Sequence, residues 1–541
     1  MRIVCAAAGG KPADVRLNVE GMWAVIARAR ADGARLVVLP QLCLTGIGCG
    51  DLFYSETLTD AALDAAQEIA LATADLTCVY GLPVRTGGHI VSMAAVAQNG
   101  RLLQLVPNSV PPGQWFAPGA AGGHVNVAGH KVPVSRAHIK VSGKTVTVRF
   151  SQENTQPAAD ITAVVGGEPF LAGAGPARAH RFVQWPGITA YANASVREST
   201  TDRVYDGQLL VLRGGKVLSE CPPFSPDAYL LCDADASGGV LPTAVSPPDP
   251  RFPYAPGEGA ARDAWCRDLT RGAARALATR MENICVHHLT LGVSGGLDSA
   301  HALLVSVEAL RMLSLPLENL VAVSLPAFGS TRRTQDNAAR LMAGLGVKPR
   351  VIPIGDSVRQ HFNDIGHSGE THDAAYENAQ ARERTQVLMD LANMVGGLMV
   401  GPGDLSELAL GFTTYGGDHM SMYAVNSGLP KTAIRMILAA YAEDHAGSWA
   451  ADALIDILNT PVSPELLPPK DGEMAQHTED IVGPYDLNDF FLYHFLRDYA
   501  APADLMARAH AAFAGQYNRH EIARWMRNFF KRFFASQFKR S

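Results

Sequence analysis

The chain has 541 residues, with 46 Lys plus Arg against 52 Asp plus Glu and a net charge of −6, so no global positive field exists to gather nucleic acid. Hydrophobic residues at 47% and charged residues at 18% permit a full core and exclude disordered, collagen-like and coiled-coil readings. At about 150 residues per domain, the length predicts roughly three to four domains, or two large ones.

No run approaches the roughly 20 consecutive apolar residues of a spanning helix, and residues 1–10 lack the apolar core of a signal peptide, so a cytoplasmic protein without membrane contact is expected. From residue 1 to about residue 235, strand-like runs such as 36–39 and 146–150 alternate with amphipathic helices, which reads as an α/β domain. Val15, Val19, Met22, Ile26 and Ala29 keep 3.6-residue spacing and predict one apolar helical stripe. The eight cysteines (Cys5, Cys43, Cys49, Cys78, Cys221, Cys232, Cys266 and Cys285) are scattered, without the C-x-x-C pairs of a zinc site, and most are expected to be buried thiols. Pro242, Pro247, Pro248, Pro250, Pro253 and Pro256 crowd a stretch that can continue neither helix nor strand. The predicted division is therefore a first domain over 1–240, a linker over 241–260 and a second domain over 261–541.

The second domain opens with a helix, then a buried strand over 288–293 that empties through a small-residue turn into a helix over 298–312. Short β-branched runs recur at 320–324 and 351–354, the spacing of successive βα units in a parallel sheet. From residue 466 onward the pattern is mostly helical, ending in 521–540. The turn Gly292, Val293, Ser294, Gly295, Gly296, Leu297, Asp298, Ser299 has the geometry that collects anions. Gly295 and Gly296 let backbone amides approach an oxygen anion, Ser294 and Ser299 add hydroxyl donors, and the helix start adds partial positive charge. Asp298 cannot serve a phosphate directly, but suits a magnesium ion that bridges phosphate oxygens. The absence of G-x-x-x-x-G-K-S disfavours a Walker cradle. An ordinary capped turn is the plain alternative.

This turn resembles the pyrophosphate loop of the ATP pyrophosphatases, which cleave ATP between the α and β phosphates to adenylate a carboxylate. Segments 376–385 (YENAQARERT), 401–411 (GPGDLSELALG), 426–432 (NSGLPKT) and 538–541 (FKRS) narrow the resemblance to the long-chain, glutamine-dependent NAD+ synthetase family. The amino-terminal half resembles that family's nitrilase-like glutaminase domain through 40–53 and 198–207. The resemblance implies an αββα sandwich followed by a Rossmann-like ATP pyrophosphatase domain (adenine nucleotide alpha hydrolase-like) with a helical carboxy-terminal segment. It also implies that the nicotinate carboxylate of deamido-NAD is adenylated by ATP with Mg2+ and then attacked by ammonia, giving NAD+, AMP and pyrophosphate.

By similarity, residues 292–299 would bind ATP and Asp298 and Glu407 would carry the metal. Lys431 would neutralise the departing pyrophosphate, and with Asp298 it forms the expected catalytic pair. Asn378, Glu407, Phe412, Thr413, Thr414, Tyr415 and Lys539 would bind deamido-NAD, although Phe412 and Tyr415 also suit plain core packing. Long-chain relatives are commonly homo-octamers, so a homo-oligomer is expected. One departure falls at Pro402, where the family usually has a threonine that contacts ATP; proline offers neither hydroxyl nor amide hydrogen. The basic residues Arg524, Arg527, Lys531, Arg532, Lys539 and Arg540 read as a solvated or interface face rather than a nucleic-acid site.

The family's glutaminase uses a Glu base, a Lys and a Cys nucleophile. The matching segments 39–46, 106–109 and 148–153 carry Gln41, Asn108 and Ser151 instead. An amide accepts no proton usefully near pH 7, and a hydroxyl without a base is a weak nucleophile. Glu168 stands where the family has a serine and Ala174 where it has a carboxylate-binding arginine. Cys43 or Cys49 could replace the nucleophile only with a cation or base nearby. The leading expectation is an ammonia-dependent NAD+ synthetase fed from solution or by a separate glutaminase, with its first domain kept as scaffold. Three alternatives stay open: the same adenylation on another carboxylate or amine, a non-catalytic binder of NAD-like ligands, and an amidase built on Ser151.

Overall fold

In the computed structural model the described residues are 1–8, 10–225, 228–461, 466–467 and 478–540; Ser541, part of the terminal segment noted above, lies outside them, as does most of 462–477. The chain divides into two compact units, Met1–Val245 and Ser246–Ser541, so the division falls inside the stretch expected to link two domains.

The first unit holds two six-stranded sheets. One contains β1 (Arg2–Ala6), β2 (Ala34–Val38), β3 (Thr77–Thr86), β4 (His89–Gln98) and β5 (Arg101–Pro107). The hairpin β6 (His124–Val127) and β7 (His130–Pro133) follows. The second sheet runs through β8 (Ile139–Val141), β9 (Lys144–Phe150), β10 (Ile161–Val165), β11 (Ile188–Ala192), β12 (Leu209–Arg213) and β13 (Lys216–Cys221), and β14 (Tyr229–Asp233) returns to pair with β1 in the first. Side chains alternate across each strand, so β1 sends Ile3 and Cys5 between the sheets and Val4 and Ala6 outward. The inner layer is completed by Val38, Val79, Val148, Phe150 and Ile161. Outside the first sheet lie α1 (Val15–Ala31), whose Val19, Met22, Ile26 and Ala29 are buried, and α2 (Glu56–Leu71). Ala179 of α3 (Ala174–Arg181) and the following Phe182 cover Val164, Tyr191 and Leu210 on the other sheet. The result is the expected αββα sandwich. Seven cysteines are buried and Cys285 is exposed.

The second unit starts with α4 (Ala260–Ile284) and then forms a five-stranded parallel sheet from β15 (Leu289–Gly292), β16 (Leu320–Ser324), β17 (Arg350–Val351), β18 (Leu398–Gly401) and β19 (Tyr423–Ala424), in the order β17-β16-β15-β18-β19. The connecting helices are α5 (Leu297–Met312), α6 (Arg332–Gly344), α7 (Gly355–Ile365), α8 (Ala374–Val395) and α9 (Leu405–Leu410). Thr290 points to α8, its hydroxyl donating to the carbonyl of Leu388 at 3.3 Å. Beyond the sheet come α10 (Lys431–Asp444), α11 (Trp449–Leu458), α12 (Thr478–Val482), α13 (Tyr485–Arg497), α14 (Pro502–Ala512) and α15 (Arg519–Ala535). The last three pack an aromatic core of Phe490, Phe491, Phe513, Phe529 and Phe533 against α9. The helix expected over 521–540 therefore ends at Ala535, with a 3-10 turn over Gln537–Arg540. The exposed Arg524 lies over the Trp525 ring, and Arg532 lies over Phe412.

Candidate functional site

In an open parallel sheet ligands settle beyond the carboxyl ends of the strands, where loops from adjacent strands converge. Here β15 runs into the loop 293–296 and then α5, β18 into Pro402 and α9, and β19 into residues 425–430 and α10. Gly295 must be glycine: its φ is +88°, and a Cβ there would strike the carbonyl oxygen of Thr334. Gly296, the residue before α5, makes no side-chain cap, which leaves the helix start to polar groups from outside. The loop is braced by its own hydroxyls. Ser294 and Ser299 Oγ lie 3.1 Å apart, and the amides of Ser294 and Gly296 donate to Ser299 and Ser294 Oγ, each at 3.2 Å.

A cavity of about 310 Å³ opens against this loop, lined by residues 292–299 together with Val323, Leu325, Thr334, Pro402, Glu407, Phe412 and Asp418. Carboxylate oxygens of Asp298, Asp404 and Glu407 lie within 4.8 Å of one another. Lys431 Nζ sits among them, 2.7 Å from Asp298 Oδ2, 2.8 Å from Asp404 Oδ2 and 3.0 Å from Glu407 Oε1. Burial pulls the Lys431 ammonium toward neutrality, but the three carboxylates overcome it and hold the proton well above the usual lysine range. Burial also drives the Glu407 carboxyl up to about 7, against the pull of Lys431, and raises fully buried Asp404 well above the ordinary range. Three acids around one ammonium leave a net deficit of positive charge, all donors are hard carboxylate oxygens, and the buried Asp298 Oδ1 has no hydrogen-bond partner among the described residues. That donor set suits a magnesium ion.

The expected catalytic and metal residues are thus brought together. Asp404 had been given no role. It caps α9 by accepting the Glu407 amide at 2.8 Å and is the third carboxylate on Lys431. A second layer comes from Asp489 on α13, which accepts from Ser406 Oγ at 2.5 Å and Thr432 Oγ1 at 2.6 Å, while Ser406 Oγ accepts the Lys431 amide at 2.9 Å. No local spacing links residue 489 to residue 431, so only the fold reveals it.

Of the remaining expected residues, Asn378 Oδ1 accepts from Thr414 Oγ1 at 2.8 Å, and the Thr414 amide donates to Asp418 at 2.6 Å. Phe412 reaches the cavity, whereas half-exposed Tyr415 packs between His419 and Phe538. The Lys539 ammonium donates to the carbonyls of Gly411 (2.9 Å) and Thr413 (2.7 Å), fixing the segment 411–413 at the end of α9.

In the first unit Gln41, Asn108 and Ser151 follow the ends of β2, β5 and β9, and all three are buried. Gln152 joins two of them: it donates to Gln41 Oε1 at 3.2 Å and accepts from Asn108 Nδ2 at 3.4 Å. Gln41 Nε2 is spent on Ser92 Oγ at 2.9 Å. Among the described residues Ser151 Oγ has no hydrogen-bond partner, a base included. Beside it Glu168 is paired with Arg181 and with Arg178 (3.1 Å); Arg178 also holds buried Asp206 at 2.5 Å, and Arg181 donates to the Ser151 carbonyl at 2.8 Å. Glu168 and Ala174 stand out in the sequence as altered positions, but Arg178 and Arg181 do not. Burial pushes the Cys49 thiol up to about 12 and Cys43 well above its usual range, so neither supplies a thiolate.

Fold and site together define an α/β protein built on an open parallel sheet, in which the glycine loop and the carboxylates of Asp298 and Glu407 line one cavity. Residues 271–524 match the family model for NAD synthase. A glutamine-dependent NAD(+) synthetase of Mycobacterium bovis is 31% identical over 96% of this chain and 89% of its own length, and one of Mycobacterium leprae is 29% identical over 98% and 90%. Among solved structures, a glutamine-dependent NAD(+) synthetase from Cytophaga hutchinsonii matches 100% of this chain and 93% of that one with a TM-score of 0.78 at 19% identity. One from Acinetobacter baumannii, in complex with ADP, matches 98% and 94% with a TM-score of 0.69 at 20% identity. The chain belongs to the glutamine-dependent NAD(+) synthetase family, a family of amide-forming ligases.

Proposed function

We propose that this NAD+ synthetase amidates deamido-NAD with free ammonia, its amino-terminal unit no longer hydrolysing glutamine. The observation that carries the reading is the convergence of the glycine loop, Asp298 and Glu407 on one cavity, with buried Lys431 paired to both carboxylates. A carboxylate is a poor electrophile. Attack of the nicotinate carboxylate oxygen on the α-phosphorus of ATP forms an acyl adenylate and releases pyrophosphate; ammonia then adds to the acyl carbon, AMP leaves with the former carboxylate oxygen, and a proton is lost.

The backbone amides of the loop and the start of α5 orient the phosphates, and Lys431 supplies a point charge where negative charge builds on the leaving pyrophosphate. Magnesium held by Asp298 and Glu407, with Asp404 behind them, would supply Lewis-acid charge neutralisation at the phosphate oxygens. Phe412 offers an apolar wall, and Asn378, Thr413, Thr414, Tyr415 and Lys539 shape the segment that would receive the pyridine end. Loss of the amidase chemistry rests on Gln41, Asn108 and Ser151, which offer neither base, cation nor activated nucleophile. A homo-oligomer in the cytoplasm, drawing ammonia from solution or from a separate glutaminase, completes the reading.

The test is a reaction of purified protein with Mg2+, ATP, deamido-NAD and ammonium chloride, following AMP and NAD+. Equal amounts of both are expected. AMP without NAD+ points to a different amine, and no AMP points to a binding protein. A pH dependence follows from Glu407. Its proton competes with the metal below about pH 7, so the Mg2+ concentration for half-maximal nucleotide binding falls as pH rises from 6 to 8, by about ten-fold at most per unit for a single proton. A titration flat across that range would contradict it.

A further inference from the structure

Asn426 is fully buried in the loop after β19, and both its amide hydrogens and its amide oxygen are hydrogen-bonded. Nδ2 donates to the carbonyl of Asp298 at 3.0 Å and to the carbonyl of Pro402 at 2.8 Å. Oδ1 faces His301 Nδ1 at 2.7 Å, and His301, also fully buried, has Nε2 3.4 Å from Thr270 Oγ1. Three adjacent strands, β15, β18 and β19, thus have their outgoing loops tied by one amide. Burial lowers the His301 pKa to about 4, so the ring is neutral; because Asn426 Nδ2 is spent on two carbonyls and Oδ1 can only accept, the bond assigns the ring hydrogen to Nδ1.

This arrangement has a direction. An amide can turn over, exchanging oxygen and nitrogen at little steric cost; what opposes it here is the donor at His301, which would then face an NH2 group, together with the two carbonyls that accept from Nδ2. With the amide reversed, its oxygen would oppose two carbonyl oxygens, and the first turn of α5 and the Pro402 wall would separate. Asp298 carries its carboxylate on the residue so held, and Pro402 lines the same cavity. Pro402 has no amide hydrogen to anchor it, so its carbonyl bond to Asn426 fixes that wall.

We propose that Asn426, oriented by His301, is a positioning residue for the nucleotide and its metal: it sets the spacing between the Asp298 turn and the Pro402 wall without touching either ligand. The proposal rests on the reading that nucleotide occupies this cavity. Deamido-NAD would meet the 412–415 segment, which the Asn426 amide does not contact, so the two substrates should respond differently.

The test compares His301→Leu, which removes the donor at similar volume, with His301→Asn, whose amide can return an N–H to about the same place. Mg2+–ATP binding is measured by calorimetry, and KM for ATP and for deamido-NAD by turnover. Removing a supporting group of this kind typically costs about ten- to a hundred-fold in ligand affinity. The expected result is a loss of about ten-fold or more in ATP affinity and KM for His301→Leu, deamido-NAD KM within about two-fold of the unaltered chain, and His301→Asn restored to within about three-fold. An unchanged ATP affinity in His301→Leu, equal loss for both substrates, or failure of His301→Asn to recover overturns the proposal. Nucleotide binding without turnover in the unaltered chain would fault the assigned reaction and spare the positioning role, which the calorimetric arm still decides. Absence of nucleotide binding in the unaltered chain overturns both.

Discussion

Asp298→Ala is expected to abolish AMP formation. The substitution removes a carboxylate 2.7 Å from Lys431 Nζ, including an Oδ1 that has no hydrogen-bond partner among the described residues. Charge neutralisation at transferring phosphates contributes several kcal/mol, and each 1.36 kcal/mol is ten-fold in rate, so a loss of about 10³- to 10⁴-fold follows. Folding should survive, because Asp298 is only partly buried and Lys431 keeps Asp404 and Glu407 as partners. The check is AMP release at saturating ammonium, with heat unfolding as control. More than a tenth of normal activity in a folded variant would remove Asp298 from the metal site.

Glutamine is expected to fail where ammonium succeeds. Loss of a nucleophile and base that act as a unit typically costs about a million-fold in turnover, and here Gln41 and Asn108 are locked to Gln152 while Ser151 has no base. With ammonium held constant, Ser151→Ala should therefore leave NAD+ synthesis nearly unchanged. Glutamate release from glutamine at a rate near that of NAD+ formation, lost in Ser151→Ala, would show a working amidase built on this serine.

Features encoded by contiguous residues were legible in the sequence. The 292–299 turn needs only a strand, two glycines and a helix start, and the stripe from Val15 to Ala29 needs only its own periodicity; both appear where expected, with Val15 at the half-buried end of the stripe. The strand run expected at 351–354 shrinks to the two residues Arg350–Val351, because this edge of the sheet pairs on one side only. Contacts between distant segments were not legible. Asp404 looked like one letter in a motif until the fold set it on Lys431, and Asp489 and His301 carry no local signal at all. In the first unit, Arg178 and Arg181 lie close in sequence to Ala174, yet nothing in their spacing announces that they close on Glu168.

The buried amides and arginines of the first unit also bear on evolutionary history. Gln41→Glu alone would bury an anion beside Gln152, and Asn108→Lys alone would bury a cation; a buried charge without its partner typically costs several kcal/mol. Neither step repays itself until the other and a thiol at position 151 are present, and Glu168 would still hold both arginines. On the proposed reading the interior therefore opposes a stepwise return to amidase chemistry, because each single reversal buries a charge before its partner is present.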